Sequence, residues 1–570
     1  MYIFHIHPEN EKEINMARKL GNEVMMDILK EYQVEYVFGI PGATEIHFME
    51  GIEATPEIQY ILGLNEMVCV GAAEGYARAK NKPAVLNLHT GPGMAAAMPL
   101  LLNCKYGKVP LVITVGQNTT SLLGKDPQLS GDIVGMAKPI AKWATEIHTA
   151  EEIPIAMHRA FKMAMQKPMG PVVVSIPYDL MTQELEYEAK PLPKLDYKAG
   201  RGSQEMIMYA CELLEKAEHP VMFVQEGVAR SRALKETVEF AEKIGAAVYQ
   251  IWMGDVNFPV NHPLYQGDID STSPEMKAVL QKADVVVGIG CQMFNDAFPS
   301  DIVMPLKENI FIQIDEDPWE IGKNFPVDCG IQGDIKEILA ELNLALQSKK
   351  DLQEKAALRT EIIKKEKEAE TTALNCRIDS EKDNKPIAVS ALMNAIKNAV
   401  NESVCIVDDS WSSSALLRKI VPLGDETSFY RPRNGGSIGF GLPGALGVKM
   451  AYPEKNVILV SGDGSAAWSM QTFWTAAHYN IPVTMIITNN GTYRQVKNVR
   501  KRILGDYLLN ERHVGMEIDH PRLNFKQMAE SMGVEGVQIY EPEEIEAAVK
   551  YGMFLDKPYL IEVFVENPAK

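Results

Sequence analysis

No uninterrupted run of about 18 apolar residues occurs in this chain of 570 residues, so no membrane-spanning helix is expected. The opening stretch MYIFHIHPENEKEI carries charge early and holds no apolar core of the kind a signal peptide needs. Cysteine is sparse. Cys69, Cys104, Cys211, Cys291, Cys329, Cys376 and Cys405 stand far apart with no CxxC pair, which excludes a zinc signature and a disulfide framework. That usage leads us to expect a reducing, cytoplasmic setting. Positive charge is in deficit, with 57 Lys and Arg against 76 Asp and Glu and a net charge of -19. Such a field repels nucleic acid and anionic membranes, so neither is an expected partner, although one pocket can still be basic. Short repeats and low-complexity tracts are missing too.

What is present is an ordinary globular composition at a length that exceeds one hydrophobic core, which predicts several domains. Three segments alternate short apolar strands with helical patterns, the mark of parallel sheets covered by helices. The expected fold class is α/β, with three doubly wound parallel-sheet domains at 17–187, 204–347 and 386–570. The first carries VEYVFGI, AVLNLH, LVITVG and PVVVSIP; the second PVMFV, AAVYQI, VVVGIG and IFIQID; the third SVCIVD, NVILVSGDG, VTMIITNN and YLIEVFV. A proline-bearing surface linker separates the first two. A charge-dense helical connector, SKKDLQEKAALRTEIIKKEKEAETT, separates the second pair.

The sharpest chemical signal lies in the third segment. Strand NVILV runs into Ser461-Gly462-Asp463-Gly464-Ser465 and a predicted helix, AAWSMQTFWTAAHY; a second strand then ends in Asn489-Asn490-Gly491-Thr492. One helix and a return strand fit between Asp463 and Asn490, which brings both to the same sheet edge. Glycine lets backbone approach a ligand, and a helix start offers free N–H groups. A carboxylate, an amide oxygen and a backbone carbonyl suit magnesium shared with phosphate oxygens. Either motif alone is more often a plain turn; the pairing between strands carries the inference.

With GDG closing on NN after that interval, the chain resembles the thiamine-diphosphate enzymes. The resemblance implies thiamine diphosphate and Mg2+ as cofactors, with the metal held by Asp463, Asn490 and the carbonyl of Thr492. It implies Glu66, which opens the helical pattern EMVCVGAAEGYARA beyond the loop VFGIPGA, as the acid that shares a proton with the cofactor's aminopyrimidine. Without the resemblance, a Glu in a first helical turn is an ordinary dipole partner. In Gly435-Gly436-Ser437-Ile438-Gly439-Phe440, Ile438 becomes the apolar wedge that keeps the cofactor bent. Gly42, Ser412, Gly436, Gly462, Gly464 and Ser465 join the expected cofactor contacts. The resemblance spans nearly the whole chain and is closest to benzoylformate decarboxylase, through VFGIPGATE, KPAVLNLHTGPG, KPIAKWATEI, GPVVVSIPYD and FWTAAHYNIPVTMIITNNGTY. It makes His89 the candidate for proton transfer on the substrate. It also implies a homo-oligomer, a dimer at least and a tetramer by resemblance, in which one subunit's pyrimidine-binding domain meets another's diphosphate-binding domain.

Two departures bear on the substrate. Ala43 stands where that family has a carboxylate-binding serine, and Ala297 stands where it has a second histidine; Asp296, His47 and His478 are the candidate stand-ins. A basic run after NNGTY sets Arg494, Lys497 and Lys501 at helical steps, with Arg431 and Arg433 ahead of the wedge loop. Basic runs are commonly solvated faces. By the resemblance the expected substrate is a small 2-keto acid, although the two departures count against benzoylformate itself; an acyl-coenzyme A substrate (2-hydroxyacyl-coenzyme A lyase or oxalyl-coenzyme A decarboxylase type), suggested by the basic residues, is the rival reading. An acetolactate-synthase-like carboligase is the weaker alternative, since its RFDDR-like flavin stretch is missing. VVVGIG lacks a GxGxxG fingerprint, so a nucleotide in the central domain stays an open alternative.

Overall fold

The computed structural model describes residues 18–189, 192, 197–271, 273–295, 308–421, 423–425, 427–505 and 513–567. Ala17, the linker prolines Pro191 and Pro193, Asp296, Ala297 and the tract 506–512 lie outside the described residues.

Three six-stranded parallel sheets with helices on both faces make an α/β architecture, as the alternation predicts. In space, the N-terminal sheet runs Gln59–Leu62, Tyr36–Gly39, Ala84–Leu88, Leu111–Gln117, Val172–Pro177, Trp143–Glu146. The central sheet runs Tyr265–Ile269, Ala247–Ile251, Pro220–Val224, Val285–Ile289, Ile310–Asp315, Cys329–Gln332. The C-terminal sheet runs Phe429–Tyr430, Cys405–Asp409, Val457–Gly462, Thr484–Asn489, Tyr559–Phe564, Glu535–Ile539. Counted by chain order, the outer two sheets share one winding, 2-1-3-4-6-5, whereas the central sheet is wound 3-2-1-4-5-6. Each winding reverses beside its first strand, and ligands of such sheets bind in the crevice that the reversal opens.

Alternation along the strands divides the core. Phe38, Leu86 and Ile113 of the N-terminal sheet, with Val407 and Leu459 of the C-terminal sheet, belong to one apolar cluster shared by both domains. Their neighbours Val37, Val85 and Val112 face a separate outer core. At the centre of the shared core the helix Glu66–Lys80 packs on the helix Gly441–Ala451. The contact is backbone to backbone: a Cβ on Gly447 would stand 2.0 Å from the Ala72 carbonyl, and one on Gly75 would stand 2.2 Å from that of Gly444. No side chain larger than hydrogen fits at either position.

The charge-dense connector is one helix, Lys350–Glu381. Lys367 anchors it to the central domain by donating to the carbonyls of Val260, His262 and Tyr265 at 2.6, 2.8 and 3.0 Å. One expectation needs correction. The single helix predicted after GDGS is split into Asp463–Ala466 and Thr472–His478, with short-range turns between them. Trp468 in that turn sits against Gly439, where a Cβ would lie 2.8 Å from the Trp468 Cβ. The wedge loop occupies the space a straight helix would need.

Candidate active site

In the C-terminal sheet the reversal lies between Cys405–Asp409 and Val457–Gly462, and a cavity of about 740 Å³ opens there. Nine of the expected positions line it together: Ser412, Gly436, Ile438, Gly462, Asp463, Gly464, Ser465, Asn490 and Thr492. The buried Asp463 carboxylate ties the two motifs to each other. Its Oδ1 accepts the Gly464 N–H at 2.8 Å, and its Oδ2 accepts those of Asn490 and Gly491 at 3.1 and 2.7 Å. Burial pushes this carboxyl up to about 6 against those three N–H donors. Among the described residues it has no ion pair. Gly464 is dictated by space, since a Cβ there would stand 2.5 Å from the Tyr493 ring. Gly436 is dictated by conformation, at φ 82°.

An oxygen-ligated cation fits this corner. Asp463 and Asn490 bring oxygen side chains and Thr492 a carbonyl to the same cavity, and a cation would compensate a carboxylate now balanced by N–H groups and the more distant charge of Arg522. No cluster of three or more His, Cys, Asp or Glu able to hold a metal occurs among the described residues. Such a cation would therefore need phosphate oxygens to complete its shell.

The remaining three positions form a second group, on the N-terminal sheet. Its reversal lies between Tyr36–Gly39 and Ala84–Leu88, where Gly42 and His89 follow the two strands. A Cβ on Gly42 would stand 2.2 Å from His89 Nδ1, so the imidazole lies flat on that glycine. Glu45, which sequence reasoning missed, organises the cluster. This buried carboxylate accepts the Gly42 N–H at 2.8 Å and the Thr44 hydroxyl at 2.7 Å, and meets His89 Nδ1 at 2.8 Å. A carboxylate at Nδ1 holds the ring proton there and leaves Nε2 free to accept one. The signal available in sequence was an acid three residues beyond Gly42, inside the loop already singled out.

Glu66 begins its helix half-buried, behind the N-cap Asn65, whose side chain accepts the Met67 N–H at 2.8 Å. It is not among the residues lining the cavity of its own chain. Within one chain the two groups line no common cavity; the N- and C-terminal domains meet through the helices Glu66–Lys80 and Gly441–Ala451. Tyr479 and Thr475 complete that contact by bonding the edge strand Gln59–Leu62.

The expected basic patch is corrected. Arg433 is buried and binds Asp255 at 2.6 Å, beside Arg78, which binds Asp255 at 2.7 Å and Glu74 at 2.9 Å. Arg431 is buried against Asp408 and lies over the Trp252 ring. Lys497 is buried and paired with Glu517 at 2.6 Å. A desolvated cation needs a partner, and these partners make the three residues ties within and between domains, not an anion surface. In the helix Arg494–Leu504 it is Arg494 and Arg502 that line the cavity, and Arg502 pairs with Asp270 at 3.2 Å. Burial lowers the Arg494 guanidinium, and it makes no ion pair among the described residues. His47 pairs with Glu50, and His478 stacks on Trp474; neither lines the cavity.

The reversal in the central sheet is closed. Gly227 donates to the Gly290 carbonyl at 2.9 Å, and a Cβ on Gly227 would stand 2.4 Å from the Gly290 Cα. A cavity of about 20 Å³ beside Gly290 has room for about one water, not a nucleotide.

Two like-wound domains, one with an acid–histidine group at its reversal and the other with an open crevice bearing oxygen ligands, define a cofactor-dependent α/β enzyme. Comparison with known proteins supplies the family. Residues 19–136 match the N-terminal TPP binding domain of the thiamine pyrophosphate enzymes, 207–342 their central domain and 412–563 their C-terminal TPP binding domain. The chain is 30% identical to a probable acetolactate synthase large subunit of Methanocaldococcus jannaschii, over 96% of this chain and 92% of that one. It is 29% identical to benzoylformate decarboxylase of Pseudomonas aeruginosa, over 96% and 98%. Among solved structures, the thiamine diphosphate-dependent 4-hydroxybenzoylformate decarboxylase of Rhodococcus jostii superimposes with a TM-score of 0.84 at 27% identity, over 97% of this chain and 100% of that one. The chain belongs to the thiamine pyrophosphate enzymes, and its outer two domains are their cofactor-binding domains.

Proposed function

We propose that this protein uses thiamine diphosphate and magnesium to cleave or form the carbon–carbon bond beside the carbonyl of a small 2-keto acid, in the manner of benzoylformate decarboxylase. The cavity wall carries the choice of substrate. Ile251, Trp252, Met253, Trp411, Val496 and Val499 make it aromatic and apolar, and Arg494 is its cation without an ion pair among the described residues. That suits an aryl or alkyl 2-keto acid with one carboxylate. Coenzyme A brings several phosphates, and three of the five residues expected to meet them, Arg431, Arg433 and Lys497, are already paired. The names of two relatives, benzoylformate and 4-hydroxybenzoylformate decarboxylases, point the same way.

Bound thiamine diphosphate supplies a carbanion that adds to carbonyl carbons. Asp463, Asn490 and the Thr492 carbonyl would hold the metal; Ser412, Gly436, Gly462, Gly464 and Ser465 would cradle the diphosphate, with Ile438 as the apolar support beneath the cofactor. Glu66 would share a proton with the aminopyrimidine N1′. Fixed by Glu45, His89 moves a proton at the substrate oxygen through Nε2.

Because Glu66 and His89 stand outside the cavity of their own chain, they serve the cavity of a second copy, and the working unit is at least a dimer. Leu64 and Trp468, one beside Glu66 and the other beside the wedge loop, are 50% and 46% exposed, the surface such a contact would cover. A panel of 2-keto acids and 2-hydroxyacyl-coenzyme A thioesters, assayed with thiamine diphosphate and magnesium, tests the reading. An aromatic 2-keto acid should yield its aldehyde and carbon dioxide. Turnover confined to thioesters, or a fully active monomer in sedimentation, would overturn it. The second reading, carboligation of two 2-keto acids, is favoured by the 30% match to acetolactate synthase and would show as an acetohydroxy acid product.

A further inference from the structure

Asp409 ends the first strand of the C-terminal sheet and lies behind the cavity, yet two of the cavity's walls hang from its carboxylate. Its Oδ2 accepts the backbone N–H of Gly439 at 3.1 Å and of Gly441 at 2.9 Å, the residues that follow Ile438 around Phe440. Its Oδ1 accepts the Trp411 indole N–H at 2.8 Å. Trp411 lines the cavity and meets Trp252 edge to face, with ring centroids 6.2 Å apart. Its backbone stands at φ 48°, a left-handed conformation that a bulky residue rarely adopts without being held there. The wedge loop has a second anchor: Asn103 donates to the Ser437 carbonyl and accepts its N–H. Among the described residues, Asp409 is the one side chain hydrogen-bonded to both the loop and the tryptophan.

We propose that Asp409 is a positioning residue that fixes the wedge loop against the Trp411 wall, and that its ionisation is what seats the indole. The chemistry is a matter of donors and acceptors. Ionised, the carboxylate offers two acceptor oxygens to three N–H donors. Protonated, one oxygen keeps both glycines while the other turns an O–H toward the indole N–H, donor against donor. Trp411 then loses its only anchor to Asp409, and its unfavourable φ is no longer held.

The surroundings place that protonation in a useful range. On its own strand Asp408 faces Asp409 as a like charge, itself held by Arg431, Ser410 and Ser414. The wedge loop and the helix Gly441–Ala451 present only N–H groups. On the neighbouring strand Val457–Gly462 the register partner is the uncharged Ser461, and Asp463 lies two residues further on. Burial pushes the Asp409 carboxyl up to about 7, against the Gly441 and Trp411 N–H groups and with help from Asp408. The consequence for substrate rests on the function proposed above; the hydrogen-bond geometry does not.

The test is tryptophan fluorescence of the full-length, cofactor-free protein between pH 5.5 and 8.5. The chain has six tryptophans, so the Trp411 signal is taken as wild type minus Trp411→Phe. That difference should shift in emission with one midpoint near neutral pH. Asp409→Asn presents an N–H to the indole as the protonated acid presents an O–H, so it should show the acid-side spectrum at every pH. With a turned-over substrate it should also raise KM by more than it lowers kcat. A difference signal that is flat in pH, or one that titrates unchanged in Asp409→Asn, would overturn the proposal. If Asp409→Asn fails to fold, the wild-type and Trp411→Phe titrations decide alone. Neither needs catalysis, so a failed substrate assay would count against the proposed function and leave this result standing.

Discussion

The two outer sheets are wound identically, and what differs is how each fills its reversal point. On the N-terminal sheet the crevice is shut by an imidazole lying on Gly42, with Glu45 clamping it from below. On the C-terminal sheet the equivalent crevice stays open for about 740 Å³, floored by Asp463 and walled by Trp411. On the function proposed, one topology provides a place for proton transfer and a place for phosphate, according to whether the first loop carries an imidazole partner or small residues. The central sheet, wound in the other order, seals its own crevice with two glycines and forms part of the cavity wall through Ile251, Trp252 and Met253. Winding sets where a crevice can form; the residues after the two strands that flank the reversal decide whether it does.

The comparison breaks most decisively at Glu66. If the N-terminal crevice supplies proton transfer to a neighbour's cavity, Glu66→Gln should lower kcat by roughly 10³-fold while circular dichroism and cofactor binding stay as they were. Loss of less than about tenfold would remove proton transfer from that domain. The mirror experiment is Asp463→Asn. Because burial raises this carboxyl from 3.8 to about 6, the folded chain binds more protons than the unfolded one between those values, so the charge costs stability once pH rises through about 6. Removing the charge should stabilise the cofactor-free protein by at most about 3 kcal/mol at pH 7.5, seen as a later calorimetric transition. The same change should weaken magnesium-dependent cofactor retention by roughly 100-fold. A destabilised Asp463→Asn with unaltered retention would mean that the open crevice is not a metal site.

How much of this was legible beforehand follows strand by strand. Every central strand of the three sheets stands out in sequence as a mostly apolar run, because both of its faces are buried. The edge strands Trp143–Glu146, Tyr265–Ile269, Cys329–Gln332, Phe429–Tyr430 and Glu535–Ile539 escaped notice. Each is short or mixed in polarity, because an edge strand has a neighbour on one side only. The cofactor crevice was legible through GDGS and NNGT, where glycine spacing and a lone acid are local signals. Glu45 and Asp409 were not, since what makes them matter is contact with His89, Gly439 and Trp411, residues 44, 30 and 2 positions away. The basic run misled for the same reason: charge is visible in sequence, but the carboxylates that neutralise Arg431, Arg433 and Lys497 come from elsewhere in the fold.

Smaller effects sharpen the comparison inside the N-terminal crevice. His89→Ala should cost roughly 100-fold in kcat, and Glu45→Gln roughly tenfold, because the amide still orients the ring but no longer stabilises its charged form. Equal losses would make the pair a structural clamp. The finest test is Ala43→Ser. Ala43 is exposed at the mouth of this crevice, next to Thr44 and Glu45, so a hydroxyl there adds one hydrogen bond for a substrate carboxylate without displacing any packed side chain. One such bond is worth about 1 kcal/mol, a roughly fivefold lower KM for an aryl 2-keto acid with kcat unchanged. If KM does not move while Arg494→Ala raises it, the carboxylate is held from the C-terminal side. The two crevices would then divide their work differently, with anion binding confined to the open one and the closed one left with the proton alone.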